Sequence, residues 1–160
     1  MTGIYLLLGS NLGDKASFLS SARKLIGSNI GPISLKSSLY CTEPWGMSNT
    51  PAFLNQVLWV KTSLMPHQTL EQMLEIESGH GRKRAELNQD RTLDIDLLYY
   101  ENQIIDDQYL TIPHPRITER MFVLKPLVEI APDFIHPILG LTNQQLLKQC
   151  TDPLSVSLVN

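Results

Sequence analysis

The sequence predicts an α+β fold in which helices pack on a mostly antiparallel sheet. Two observations carry this. Apolar, strand-like runs alternate with segments of helical periodicity, and several strands follow one another without an intervening helix. The chain has 160 residues, enough for one domain with a continuous core.

Residues 3–9 read as a near-continuous apolar strand, followed by a turn built on Gly9-Ser10-Asn11-Leu12-Gly13. Phe18, Leu19, Ala22, Leu25 and Ile26 then recur at helical spacing up to Gly27. Residues 34–41 form a second strand, and Pro44, Gly46 and Pro51 mark an irregular loop after it. Residues 53–61 are a third strand. Pro66 opens a second helix at the first-turn position that proline favours, and Gly79 ends it. Residues 80–91 are polar, rich in bases and without periodicity, hence a loop. Residues 92–100 are a fourth strand, 104–112 a short strand or hairpin arm. Further helices fall within 117–131 and 143–150. The tail from Thr151 to Asn160 carries no pattern that assigns it a structure. No repeat, low-complexity tract or Gly/Ser-rich linker divides the chain, so 1–160 reads as a single domain.

Composition excludes several classes. The chain is 42% apolar and 18% charged, with a net charge of −3, which gives no general attraction to nucleic acid or to an anionic membrane. Any anionic ligand must be held by a local cluster of bases. No apolar run approaches the roughly 18 residues needed to cross a bilayer. Ile4-Tyr5-Leu6-Leu7-Leu8 lacks a basic leader and reads as a buried strand rather than a signal peptide. Cys41 and Cys150 have no metal-like spacing and read as free thiols. A cytoplasmic monomer acting on small molecules is the expectation.

The chemistry begins with Asp94-Ile95-Asp96, set in a segment that otherwise forms a core strand. Side chains alternate along a strand, so the two carboxylates share one face, with α-carbons roughly 7 Å apart. Leu93, Ile95, Leu97 and Tyr99 fall on the other face. Two adjacent carboxylates repel and desolvate each other, which is costly without a cation. Oxygen-only ligands suit Mg²⁺, which takes one or two carboxylates and fills its other positions with water and phosphate oxygens. An edge strand with two solvated aspartates is the competing reading.

Leu70, Met73 and Leu74 define the apolar stripe of the second helix, and Glu77 falls on it. That glutamate either approaches the metal or a ligand hydroxyl, or runs out to solvent at the helix end. Between this helix and the acidic strand lie Arg82, Lys83, Arg84 and Arg91. Guanidinium groups bind phosphate oxygens bidentately, and a loop lets them close on a ligand. Arginines next to a carboxylate pair supply what phosphoryl transfer requires, namely positioning and charge neutralisation. His114 lies between Pro113 and Pro115, on restricted, extended backbone that displays rather than packs it. His67, His80 and His136 show no metal-like spacing and read as structural. On the third strand Phe53 and Asn55 share a face, an aromatic beside an amide that suits a flat heterocycle; a core strand with one satisfied Asn is the competing reading, and the residues alone favour it. Phe122 offers a second ring.

With Gly9-Ser10-Asn11-Leu12-Gly13, Thr42-Glu43-Pro44-Trp45-Gly46, Phe53-Leu54-Asn55, Gly81-Arg82, Arg91-Thr92-Leu93-Asp94-Ile95-Asp96 and Pro113-His114-Pro115-Arg116, residues 3–135 resemble a known family. It is the 6-hydroxymethyl-7,8-dihydropterin pyrophosphokinases of folate biosynthesis. The resemblance implies a three-layer α-β-α, ferredoxin-like fold with helices on both sides of the sheet. It implies attack by the pterin hydroxymethyl oxygen on the β-phosphorus of ATP, with release of AMP. Asp94 and Asp96 are then the ligands of two Mg²⁺ ions and, with Arg82 and Arg91, the catalytic set. Glu77, Arg84, Arg91, Thr111, His114 and Arg120 match ATP-site positions. Thr42, Pro44, Trp45, Phe53, Asn55 and Phe122 match the pterin pocket. No tryptophan lies between Arg84 and Arg91, a departure from the family pattern.

Two rivals remain. Gly9-Ser10 with Asp94-x-Asp96 is similar to polymerase-beta-like nucleotidyl transferases, but there the two motifs lie much closer together. A ferredoxin-like RNA-binding module would show a basic surface and exposed aromatics on a sheet face. An ordinary P-loop kinase is disfavoured because its Gly-x4-Gly-Lys-Ser/Thr string is absent.

Overall fold

The apolar run at the start of the chain becomes β1 (Thr2–Ser10), buried along its second half and flanked by a partner on each side. The computed structural model describes residues 1–42, 51–81 and 92–159. Gly13, at φ +64°, turns the chain out of β1. The Asp14 carboxylate then caps α1 (Lys15–Asn29) by accepting the Ser17 N–H at 3.1 Å.

The expected second strand is two strands, β2 (Ile33–Lys36) and β3 (Tyr40–Thr42). Ser37 causes the break. Its hydroxyl accepts the Val57 N–H at 3.0 Å, and its own N–H donates to the Val57 carbonyl, so a side chain takes over part of the ladder. Both strands pair with β4 (Phe53–Thr62), which also pairs with β1. Pro66 starts α2 (Pro66–Gly79), whose first turn is held by Gln68 accepting the Met65 N–H at 2.8 Å. β5 (Asp94–Tyr100) then lies along the outer side of β1.

The sheet order β5-β1-β4-β3-β8, where β8 is Val156–Leu158, with β2 beside β4 and every pairing antiparallel, contains the ferredoxin-like arrangement. Ile4, Leu6, Leu8, Leu58, Ile95 and Leu97 face α1 and α2, where Leu19, Ala22, Ile26, Met73 and Ile76 complete one core. Leu7, Val57 and Tyr99 face α3 (Met121–Ile130) and α4 (Asn143–Gln149) in a second core with Val123, Leu124, Leu127 and Leu146. Three layers, α-β-α, result.

Tyr99 departs from the expected alternation. Between Tyr5 and Leu6 the β1–β5 register shifts, so Leu6 faces Leu97 while Tyr5 faces Tyr99. This bulge rotates Tyr99 onto the face that carries Asp94 and Asp96. There its hydroxyl donates to Asn143 Oδ1 at 2.8 Å. The hairpin arm is β6 (Ile105–Asp106) with β7 (Thr111–Ile112). The helix expected within 117–131 begins at Met121, after a 3-10 turn at Ile117–Glu119.

The tail is a correction to the sequence reading. Val156–Leu158 forms β8, which pairs with β3 and closes that side of the sheet. Its alternation is too short to announce a strand, and only the open edge of β3 gives it a template.

Candidate functional site

One transverse row of the sheet organises the site. Asp94 pairs with Gly9, Gly9 with Asn55, and Asn55 with Tyr40. Directly paired residues project on the same face, so a carboxylate and an amide flank a residue with no side chain. One step along, Asp96 pairs with Leu7 and Leu7 with Val57. The floor beneath the two aspartates is therefore apolar strand, and both carboxylates are half-buried.

Gly9 is needed for this packing. A Cβ built there would sit 2.8 Å from Asn55 Oδ1 and 3.7 Å from Phe53 Cδ1. Asn55, only 3% exposed, thus lies against bare backbone. Its Nδ2 donates to Thr42 Oγ1 at 2.8 Å, and Thr42 is paired with Phe53. Thr42, Phe53 and Asn55 form one connected wall. Pro51 and Ala52, just before it, are tied to the β1–α1 turn by Asn11 Nδ2 (3.3 Å) and Lys15 Nζ (3.0 Å).

Glu77 sits under the acidic pair rather than beside it. It is 1% exposed and accepts the backbone N–H of Ile95 at 2.8 Å. β5 is the outermost strand on this side, so that N–H points away from β1 and needs an acceptor. The stripe reading of α2 placed Glu77 on the inward face, and it is there. The solvent-reaching alternative is excluded by its burial.

His114 is half-buried against β5 rather than displayed. Its backbone N–H donates to the Leu98 carbonyl at 2.9 Å, which lays residues 112–114 along β5 after a cis Ile112–Pro113 peptide. The Arg116 N–H donates to His114 Nδ1 at 3.2 Å. The neutral ring consequently carries its proton on Nε2, which lies 3.9 Å from Asp96 Oδ1. Burial pulls the His114 pKa below the usual histidine value; Asp96 opposes this, and Arg120 and Arg116 reinforce it.

Arg120 precedes α3 and places its guanidinium 5.5 Å from the Phe122 ring centre. Phe122 packs against the core that includes Leu7 and Val57, the strand residues neighbouring the acidic pair. Thr111 is exposed in β7, three residues before His114. Asp94, Asp96, His114, Asn55 and Thr42 are thus gathered on one sheet face, with Arg120 and Phe122 on the helix layer over it. Pro44, Trp45, Arg82, Arg84 and Arg91 lie outside the described residues. The two ends of the arginine-bearing segment are tied, because the Thr92 hydroxyl donates to the His80 carbonyl. His80 in turn contacts Ser21 Oγ at 2.9 Å and the Ile76 carbonyl at 2.7 Å, a structural role as expected.

Among the described residues no group of three or more His, Cys, Asp or Glu side chains could hold a metal ion. Two half-buried carboxylates on alternate positions of one strand do fit Mg²⁺ that completes its shell with phosphate oxygens and water. Residues missed in the sequence reading are Gly9, quoted only as part of a string, and Tyr40 and Glu129. The Tyr40 hydroxyl donates to Glu129 Oε2 at 2.5 Å, locking β3 to α3 behind the wall. An isolated tyrosine and a surface glutamate far apart in sequence give no signal of that pairing.

Residues 5–132 match the model of the 7,8-dihydro-6-hydroxymethylpterin-pyrophosphokinase family. The chain is 43% identical over 136 residues to the 2-amino-4-hydroxy-6-hydroxymethyldihydropteridine pyrophosphokinase of Methylorubrum extorquens, covering 84% of this chain and 86% of that one. It is 38% identical over 160 residues to the protein of the same name in Haemophilus influenzae, covering 99% of both. The folic acid synthesis protein fol1 of Pneumocystis carinii is 38% identical over 149 residues, but the chain spans only 20% of its length. A Plasmodium falciparum HPPK-DHPS crystal structure superposes with a TM-score of 0.78 at 18% identity, covering 92% of this chain and 43% of that one. That last likeness concerns the fold.

Proposed function

Because the chain belongs to the 7,8-dihydro-6-hydroxymethylpterin-pyrophosphokinase family, we propose that it transfers pyrophosphate from magnesium-bound ATP to the hydroxymethyl group of 6-hydroxymethyl-7,8-dihydropterin, releasing AMP, in folate biosynthesis. The observation that carries this reading is the Asp94–Gly9–Asn55 row. It sets a phosphate-side carboxylate and a heterocycle-side amide two strand spacings apart, roughly 10 Å, with only glycine between them. A flat ring hydrogen-bonded at Asn55 would extend its hydroxymethyl arm along this row toward phosphates held at Asp94 and Asp96.

The residues divide the work. Asn55, with Thr42 and Phe53, orients the pterin, and Phe122 stacks on it from the helix layer, with Pro44 and Trp45 completing the pocket. Asp94 and Asp96 hold two Mg²⁺ ions, whose chemistry when bound is to neutralise charge on the triphosphate oxygens and align them for in-line transfer. Glu77 keeps the edge of β5 straight so that both carboxylates stay on one face. His114, neutral and protonated on Nε2, offers a donor beside Asp96. Arg120, Thr111, Arg84 and Arg91 take up the nucleotide, and Arg82 acts on the transferring group as its bond to AMP breaks. The enzyme is read as a monomer acting on these two small molecules. Two free thiols, Cys41 and Cys150, suit the reducing cytoplasm. No described helix is long and apolar enough to cross a membrane.

The test is a product assay with purified protein, ATP, Mg²⁺ and the hydroxymethyl pterin. AMP is expected in step with pterin pyrophosphate. Release of inorganic pyrophosphate instead would mean nucleotidyl transfer and overturn the reading.

A further inference from the structure

We infer that the C-terminal segment 151–159 is a brace that spans both walls of the pterin pocket, with Asp152 as a positioning residue for Arg120 and Phe122. The segment lies beyond the residues matched by the family model, and the inference rests on the pterin-pocket reading above. Asp152 Oδ2 accepts the backbone N–H of Met121 at 2.8 Å. Met121 is the first residue of α3 and stands between Arg120 and Phe122, the cation and ring that face each other at 5.5 Å. The Arg120 side chain makes no cap hydrogen bond at this helix end, and the Asp152 acceptor arrives from across the fold. The other oxygen, Asp152 Oδ1, accepts the Leu154 N–H at 3.0 Å, which fixes the carboxylate's own orientation.

Beyond Asp152 the chain crosses to the opposite wall. Lys125 Nζ, one turn into α3, donates to the Val156 carbonyl at 2.9 Å. Val156 is then paired with Thr42, and the Val159 N–H donates to the Leu39 carbonyl. One short segment therefore holds the helix that carries Phe122 and the strand that carries Thr42. The spacing between the stacking ring and the amide wall is set by it.

An N-terminal cap is worth about 1 kcal/mol, so Asp152→Ala should weaken pterin binding about fivefold, read by fluorescence titration and as a raised pterin KM. Met121→Pro removes the donor instead. Proline is well tolerated at a first helical position, and Arg120 already has the extended backbone it requires. It should weaken binding by a similar factor, and the double variant by no more than either single one. Ile26→Val, on the opposite layer, is the stability control: at an equal loss of Tm it should leave pterin binding unchanged. Asp152→Ala binding pterin within twofold of the natural chain would overturn the inference, as would equal weakening by Ile26→Val. If the natural chain itself binds no pterin and releases no AMP, the functional reading fails and takes this inference with it.

Discussion

The carboxylate of Glu77 accepts the backbone N–H of Ile95, the residue between Asp94 and Asp96, at 2.8 Å. A helix thereby supplies the missing edge partner of the strand that carries the acidic pair. Glu77→Ala strips this acceptor from a buried donor and should cost about 2 kcal/mol. Glu77→Gln keeps an amide oxygen in place and should cost well under half of that. Urea denaturation of the two variants measures the difference, and equal losses would mean that the Ile95 bond contributes nothing.

Asp96→Ala should reduce AMP release about a hundred- to a thousandfold, the scale for removing one strong electrostatic stabiliser of the transferring group. Pterin binding should persist, because Asn55, Thr42 and Phe122 do not depend on Asp96. Near-normal turnover in this variant would remove Asp96 from the metal site.

Gly9→Ala tests the row itself. The added methyl would meet Asn55 Oδ1 at 2.8 Å, and Asn55 can yield only by leaving Thr42. Pterin affinity should fall about tenfold, corresponding to one good hydrogen bond, and Tm should fall with it, because the buried Asn55–Thr42 bond is lost. A variant with full pterin affinity would show that Asn55 need not lie against β1.

The Tyr40–Glu129 lock makes a pH prediction. Burial, then the hydrogen bond and charge of Glu129, push the Tyr40 hydroxyl up to about 12, against about 10 in an unfolded chain. Burial raises the Glu129 carboxyl, but the bonds from Tyr40 and Ser38 outweigh it and leave it below the ordinary value. A raised tyrosine pKa means that the neutral form is favoured in the folded state. Its contribution is complete below about pH 10 and is lost as pH rises from about 10 through about 12. Tyr40→Phe should show a shallower fall of stability across that window than the natural chain. Urea midpoints at intervals between about pH 9 and 12 check it, and parallel curves would contradict the assignment.

Much of the site was legible because strand alternation is local. Asp94 and Asp96 share a face, Phe53 and Asn55 share a face of the third predicted strand, and Glu77 is on the buried stripe of its helix. Alternation failed at Tyr99, where a bulge inserts one residue that no neighbour in sequence announces. It failed also for His114: two prolines describe its backbone correctly, but the Leu98 carbonyl that pulls it onto β5 is a property of an edge strand. Ser37 broke a strand by offering its hydroxyl where a backbone group was expected.

By itself the sequence determined the order of the main strands and helices, the acidic pair and the aromatic and amide residues of the third strand, since each follows from side-chain period or residue chemistry over a few positions. Only the tertiary structure decided that Asp94 and Asn55 flank Gly9, that Glu77 serves the Ile95 N–H, and that the tail reaches both α3 and β3. Those contacts depend on strand register and helix seating between distant parts of the chain. Register is set by burying two cores at once, on opposite faces of one sheet, and no short window of residues contains that condition.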